Sequence, residues 1–124
     1  MKPWVMEQAI KTAKKSNYPH FRHGAVIECG GRILSKNPNI RKSQTPDASM
    51  SVHAEVAALK PLLSKTRLRW HIPPVVMYVA RVNPNNEVVL SKPCDRCLEV
   101  LRKSCIVKTI YYSTNNGWDK IEIY

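Results

Sequence analysis

Three stretches of the chain have apolar residues at the spacing of a helix. The first, residues 2–16, has lysines opposite its apolar positions, which predicts an amphipathic helix with a basic outer face. The second, residues 52–63, is apolar almost all round and is therefore predicted to be buried, with Pro61 bending it or ending it early. A third helix is predicted to begin at Pro93, because proline suits the first turn of a helix, and to run through Ser104.

Short apolar segments between these helices predict strands. Residues 23–29 and 32–35 flank Gly30-Gly31 and are expected to form a hairpin. Further strands are predicted at residues 75–82, 107–113 and 118–123, with a short returning strand at 87–90 and a loop at 36–49. The last two strands are joined by a turn too short for a crossover helix, so they should be antiparallel. The order of elements predicts a layered α/β domain.

Length and cysteine content restrict the class of protein. A chain of 124 residues suffices for one modest core, which predicts a single domain over residues 1–124. No apolar run approaches the ~20 residues of a membrane helix, and the first residues do not resemble a signal peptide. Two of the four cysteines form a Cys-x-x-Cys and the others lie in apolar stretches, which favours reduced or metal-bound thiols over disulfides. We therefore expect a cytoplasmic protein, in the host cytoplasm if the source is a virus.

The charge of the chain is its most unusual bulk property. Twenty lysines and arginines against nine acidic residues give a net charge of +11. Such an excess attracts phosphate groups, either in a nucleic acid or on a small substrate. A basic surface that only aids solubility is the alternative, since charge alone identifies neither the site nor the partner.

Two short motifs contain the candidate chemistry, namely His53-Ala54-Glu55 and Pro93-Cys94-Asp95-Arg96-Cys97. A catalytic zinc takes three protein ligands and leaves a fourth position open for water. His53, Cys94 and Cys97 supply that number, and the two cysteines share one face of a helical turn. Glu55 is then placed to take a proton from the activated water and pass it to the substrate. A closed structural zinc site is the alternative, but no other histidine or cysteine has a matching spacing.

Together the motifs match the signature His-x-Glu…Pro-Cys-x-x-Cys of the zinc-dependent cytidine deaminase superfamily, which the chain resembles over most of its length. Residues 18–25 are similar to the segment before the first strand of free cytidine deaminases. Residues 31–35, followed by Asn39, are similar to the second strand and loop of the deoxycytidylate and tRNA types. The resemblance implies a three-layer α-β-α fold with a mixed five-stranded sheet, Zn²⁺ as cofactor, and hydrolytic conversion of cytosine to uracil.

The resemblance also implies substrate contacts. Asn39 corresponds to an asparagine that contacts the sugar, and Asn37 is close enough in register to compete for that role. The backbone of Ala54 is expected to meet the carbonyl of the base, and Phe21 or His23 to lie near the ring.

The chain also departs from individual branches of the superfamily. Free cytidine deaminases have a cysteine at the position of His53, and a sugar-binding glutamate near the position where this chain has Arg41. These differences argue against a plain ribonucleoside substrate. The deoxycytidylate and tRNA types join their last two strands through a helix, whereas the short hairpin predicted here resembles free cytidine deaminases and toxin-type deaminases. The branch therefore stays open.

Three substrate or ligand hypotheses follow. A cytosine in single-stranded nucleic acid would be held by a basic and aromatic rim made of Lys36, Arg41, Lys42, Arg69, Trp70 and Lys92. A free nucleotide such as deoxycytidylate needs only one or two basic residues, so the charge excess favours the polymer. A non-catalytic zinc or nucleic-acid-binding module has no need of Glu55. Adenine remains an alternative base, and many members of the superfamily form homo-oligomers.

Overall fold

The computed structural model describes residues 2–17, 22–39, 75–93, 95–104 and 106–123, which form one mixed sheet with a helix on each face. In chain order the elements are α1 (Pro3–Ala13), β1 (Arg22–Cys29), β2 (Arg32–Pro38), β3 (Val75–Val82), β4 (Val88–Val89), α2 (Asp95–Ser104), β5 (Val107–Thr114) and β6 (Gly117–Glu122).

The strand order of the sheet is β2-β1-β3-β5-β6, and the short β4 pairs with the end of β3. Strands β3 and β5 are parallel, whereas every other strand pair in the described ranges is antiparallel. The predicted closing hairpin is confirmed, since Thr114 pairs with Gly117 across a two-residue turn. The returning strand predicted at 87–90 is also confirmed, and it adds a sixth strand to the five-stranded sheet that the resemblance implied.

Helix α1 covers one face of the sheet. Its Val5 and Ala9 are fully buried against Val26, Tyr78 and Ala80, while the lysines predicted for its outer face are exposed. This packing confirms the amphipathic pattern, because the apolar positions of the helix are those that meet the sheet.

Helix α2 covers the opposite face. Its Leu98 and Leu101 pack with Val79, Ile110 and Tyr112, which alternate along β3 and β5 with the residues that face α1. The three-layer α-β-α arrangement is therefore confirmed. The helix predicted at 52–63 lies outside the described residues.

Strand β2 ends later than the sequence predicted. Residues 36–38 were predicted to begin a loop, but they continue β2, with Lys36 opposite Val26 and Pro38 opposite Gly24. Proline is tolerated here because β2 is an edge strand among the described residues. The N–H of the next residue, Asn39, bonds β1, so the nitrogen of Pro38 points away from the ladder.

Candidate active site

One end of the sheet holds the described residues nearest in sequence to the predicted chemistry. Strands β3 and β5 end there, β1 begins there, and β2 ends there. We call this the site end, the opposite end the far end, and the sheet face covered by α2 the site face. Clefts at the carboxyl ends of parallel strands are common ligand sites in α/β sheets, because loops and helix N-termini meet there.

Cys97 is the predicted zinc ligand that the structure describes. It lies in the first turn of α2 and is 2% exposed. A buried thiol at a helix N-terminus fits a zinc ligand, because the free N–H groups of that turn favour a thiolate. Cys97 and Cys29, among the described residues, are not joined in disulfides, which agrees with the expected reduced or metal-bound thiols.

The other predicted metal-site residues, His53, Glu55 and Cys94, lie outside the described residues. Within the described ranges, no group of three histidine, cysteine, aspartate or glutamate side chains could hold a metal ion. The His53, Cys94 and Cys97 ligand set therefore stays a prediction, of which the structure describes one member.

Asn39 is buried at the site end and is bonded to β1. Its Oδ1 accepts a hydrogen bond from the backbone N–H of His23 at 2.9 Å, and its own N–H donates to the carbonyl of His23 at 3.0 Å. The hydroxyl of Ser16, just beyond α1, donates to the carbonyl of Asn39 at 2.9 Å. These contacts bring Asn39 and His23 together, as expected if both border one site.

The side chain of His23 lies on the site face, because His23 is two residues from Ala25 in β1 and Ala25 packs in the core beneath α2. Asn37 pairs with Ala25 and faces the same side. The substrate contacts that the resemblance implied for these residues stay predictions.

Arg81 is a site-end residue that the sequence analysis missed. It pairs with His23 across β1 and β3, and it lies two residues beyond Val79 on the site face. It is half-buried, and its Nε atom is buried. The available signal was a lone arginine at the end of an otherwise apolar strand.

Two residues of the predicted basic rim are described. Lys36 is exposed on β2, and its partner Val26 belongs to the α1 core, so Lys36 faces α1 rather than the site face. This is a correction to its predicted place in a loop bordering the pocket, and it follows from the continuation of β2. Lys92 is exposed one residue before the buried Pro93, close in sequence to the cysteine pair.

The remaining predicted contact residues, Phe21, Ala54, Arg41, Lys42, Arg69 and Trp70, lie outside the described residues.

The far end of the sheet holds a different polar cluster. The buried carboxylate of Glu28 accepts hydrogen bonds from the Lys2 ammonium and, at 2.6 Å, from the N–H of Gly31. Burial alone would raise the pKa of Glu28, but these two donors outweigh it and hold that pKa below its ordinary value of 4.5. The Lys2 pKa is raised above 10.5, chiefly by its bond to Glu28.

Comparison with known families identifies the chain. The model of the cytidine and deoxycytidylate deaminase zinc-binding region matches residues 1–113. The chain belongs to this family. It is a zinc-dependent hydrolytic deaminase acting on a C–N bond, with Zn²⁺ as its cofactor. No curated protein matches the chain.

Solved structures of deaminases share the fold. A cytidine deaminase from Burkholderia pseudomallei is 16% identical with a TM-score of 0.70, over 99% of this chain and 94% of that one. A cytidine deaminase from Mycobacterium tuberculosis is 19% identical with a TM-score of 0.64, over 99% and 92%. A dCMP deaminase from the cyanophage S-TIM5 is 22% identical with a TM-score of 0.56, over 90% and 84%. At these identities the likeness establishes the fold and leaves the substrate open.

None of the helices in the described ranges is long and apolar enough to cross a membrane.

Proposed function

We propose that this deaminase converts cytosine to uracil in a phosphate-bearing substrate, with His53, Cys94 and Cys97 as zinc ligands and Glu55 as the proton-transfer group. The observation that supports this best is the position of Cys97, which is buried in the first turn of α2 at the site end. Zinc, when bound, supplies Lewis-acid activation of water.

The proposed residues have distinct tasks. Glu55 takes one proton from the attacking water and delivers it to the ring nitrogen; it then carries the remaining proton of that oxygen to the amino group, which leaves as ammonia. Asn39 orients the sugar, since its amide Oδ1 is held by the backbone of His23 in β1, which fixes the side chain at the site end. His23, or Phe21 two residues before it in sequence, borders the base.

A free nucleotide is the first candidate substrate. The planar fork of the Arg81 guanidinium suits a phosphate. Arg81 lies on the site face and pairs with His23 across β1 and β3, so we expect it to meet the phosphate of a nucleotide whose base lies near His23. The cyanophage dCMP deaminase, which shares the fold, has been solved in complex with dCMP and dUMP.

Single-stranded nucleic acid is the second candidate, and the net charge of +11 supports it. The described basic residues do not form one strip, because Lys11, Lys14 and Lys15 lie on α1, whereas Arg102 and Lys103 lie on α2 in the opposite layer. A strand-binding rim would therefore depend on Lys92 together with the predicted residues Arg41, Lys42, Arg69 and Trp70.

The test is a deamination assay with dCMP, deoxycytidine and a cytosine-containing single-stranded oligonucleotide, followed by mass spectrometry. We expect conversion of dCMP, with a much lower rate on deoxycytidine. Glu55→Gln should retain zinc and lose about 10²–10⁴-fold in kcat. Arg81→Gln should lower kcat/KM on dCMP by about 10–100-fold and leave the rate on deoxycytidine nearly unchanged, because only dCMP presents the phosphate.

Arg22→Gln is the matched control. Arg22 lies next to His23 in β1, but its guanidinium bonds the carbonyl of Asn83 at 2.6 Å and Oδ1 of Asn86 at 2.8 Å. This variant should deaminate dCMP like the parent. Conversion of the oligonucleotide alone would favour the second candidate. A zinc-loaded protein inert on all three substrates would contradict the cytosine assignment, and adenine substrates would then be assayed.

A further inference from the structure

A serine hydroxyl replaces a backbone hydrogen bond between β3 and β5 at the site end. Val79 pairs with Tyr112 in the parallel register, so a continued ladder would bond the N–H of Ser113 to the carbonyl of Val79. Instead the N–H of Ser113 donates to Oγ of Ser91 at 2.8 Å, and that hydroxyl donates to the carbonyl of Val79 at 2.9 Å. Ser91 therefore bridges the two strands where they separate.

The hydroxyl of Ser113 forms a second bridge beside the first. It accepts a hydrogen bond from the N–H of Arg81 at 3.2 Å and donates to the carbonyl of Val89 at 2.7 Å. The N–H of Ser91 donates to the carbonyl of Ser113 at 2.9 Å. With Ser91 2% and Ser113 0% exposed, each hydroxyl both accepts and donates in a site closed to water.

These bonds hold the segment that leads to the cysteine pair. Ser91 precedes Cys94 by three residues, a distance of at most about 11 Å along the chain, and the intervening Pro93 is buried. The same segment is held once more at Leu90, whose N–H donates to Oδ1 of Asn115 at 3.0 Å. The short segment between the sheet and the first turn of α2 therefore has little freedom to move.

We propose that Ser91 and Ser113 are positioning residues for the zinc site, fixing the start of α2 so that Cys94 and Cys97 meet the metal together. The proposal rests on the assignment of these cysteines as ligands. Groups that orient metal ligands from outside the ligand shell typically change metal affinity by about 10–100-fold when removed. Loss of either hydroxyl leaves buried backbone groups without their partners, and the segment must shift to reach others.

The experiment measures zinc release from the full-length, zinc-loaded protein into excess chelator, and the absorption spectrum of the Co²⁺-substituted protein. Ser91→Ala and Ser113→Ala should each release zinc about tenfold faster than the parent and alter the Co²⁺ ligand-field bands. Thr109→Val is the matched control, because Thr109 is a buried hydroxyl on the same strand at the far end, bonded to Glu122 at 3.2 Å. It should release zinc at the parental rate even if it lowers the melting temperature.

Asn115 provides variants at an exposed position, so they test the inference even if the serine variants do not fold. Asn115→Ala removes the acceptor for the N–H of Leu90 and should speed zinc release about threefold, whereas Asn115→Asp keeps an acceptor oxygen and should restore the parental rate. Parental release and parental Co²⁺ bands in every folded variant would overturn the proposal. Because zinc release is scored without substrate, a zinc-retaining protein that fails to deaminate would contradict the proposed function and leave this inference standing.

Discussion

The two ends of the sheet both bury polar groups, but the bonds at each end join different parts of the chain. At the far end, Lys2 bonds Glu28 through its side chain and the hydroxyl of Tyr78 through its backbone N–H, at 2.9 Å. These bonds fix the start of α1 on β1 and β3. At the site end, Ser91 and Asn39 instead attach to the strands the segments that lead to the cysteine pair and to residues 40–74.

This difference separates stability from function. A polar cluster that joins a helix to a sheet stabilises the fold, and its loss should lower the free energy of unfolding without changing the chemistry. Bonds that hold the ends of segments bearing catalytic residues should affect metal binding and turnover as well. Variants at the two ends therefore test whether the two effects can be separated.

The largest expected effect is at Cys97. Cys97→Ser should lower zinc retention and deamination by more than about 100-fold, because it removes a proposed ligand. About 100-fold is the upper range for groups that only orient a ligand. Metal analysis of the purified protein and a deamination assay measure both. Cys29→Ser is the control, since Cys29 is a half-buried cysteine at the far end, and it should keep zinc and activity. Full zinc retention by Cys97→Ser would remove Cys97 from the ligand set.

The next effect concerns Gly24, where α1 approaches the sheet at the site end. A Cβ at this position would lie 2.7 Å from the carbonyl oxygen of Ala9 and would also meet the backbone N of Ala13. Gly24→Ala should therefore destabilise the protein by about 2–3 kcal/mol, since backbone atoms have to move. Chemical denaturation measures the loss, and an unchanged midpoint would mean that α1 can shift without cost.

A smaller, pH-dependent effect is expected at Glu28. Its folded-state pKa is lowered, so its contribution is present above about pH 4.5 and is lost as pH falls through the folded value. The raised pKa of Lys2 means that its contribution is present below 10.5 and is lost as pH rises through the folded value. Both partners are therefore charged and paired between these limits.

Glu28→Gln should lower the free energy of unfolding by about 1–2 kcal/mol at neutral pH. This range is small because the Lys2 side chain is 42% exposed and solvent screens the pair. The difference from the parent should shrink as pH falls below 4.5. Denaturation curves at several pH values measure this, and kcat per folded molecule should stay parental. A loss of kcat at unchanged stability would contradict the separation of the two ends.

The smallest effect is expected at the exposed pair of Lys103 and Glu99 on α2, 2.9 Å apart with side chains 75% and 64% exposed. Lys103→Ala should change the free energy of unfolding by less than about 0.5 kcal/mol, because solvent screens such pairs. A larger change would mean that the solvent-exposed side of α2 also contributes to the free energy of unfolding.

Local patterns were enough to predict most of the described elements. The apolar period of α1 and the continuous apolar run of β3 are properties of neighbouring residues, so β3 was predicted with its observed bounds, Val75–Val82. The end of β2 was predicted too early, because Asn37 and Pro38 are typical of loops. Pairing with β1 outweighs that preference, and a partner strand is invisible to a local pattern.

The sequence by itself determined the chemistry of this protein, because the spacing of His53, Glu55, Cys94 and Cys97 defines a zinc deaminase motif without any knowledge of the fold. Tertiary structure alone decided which described residues share the site end with Cys97. Arg81 faces the site beside His23, and Ser91 bridges β3 and β5, because strands distant in sequence pair in one register. That register is set by the burial of whole faces of the sheet, a long-range condition that no short stretch of sequence contains.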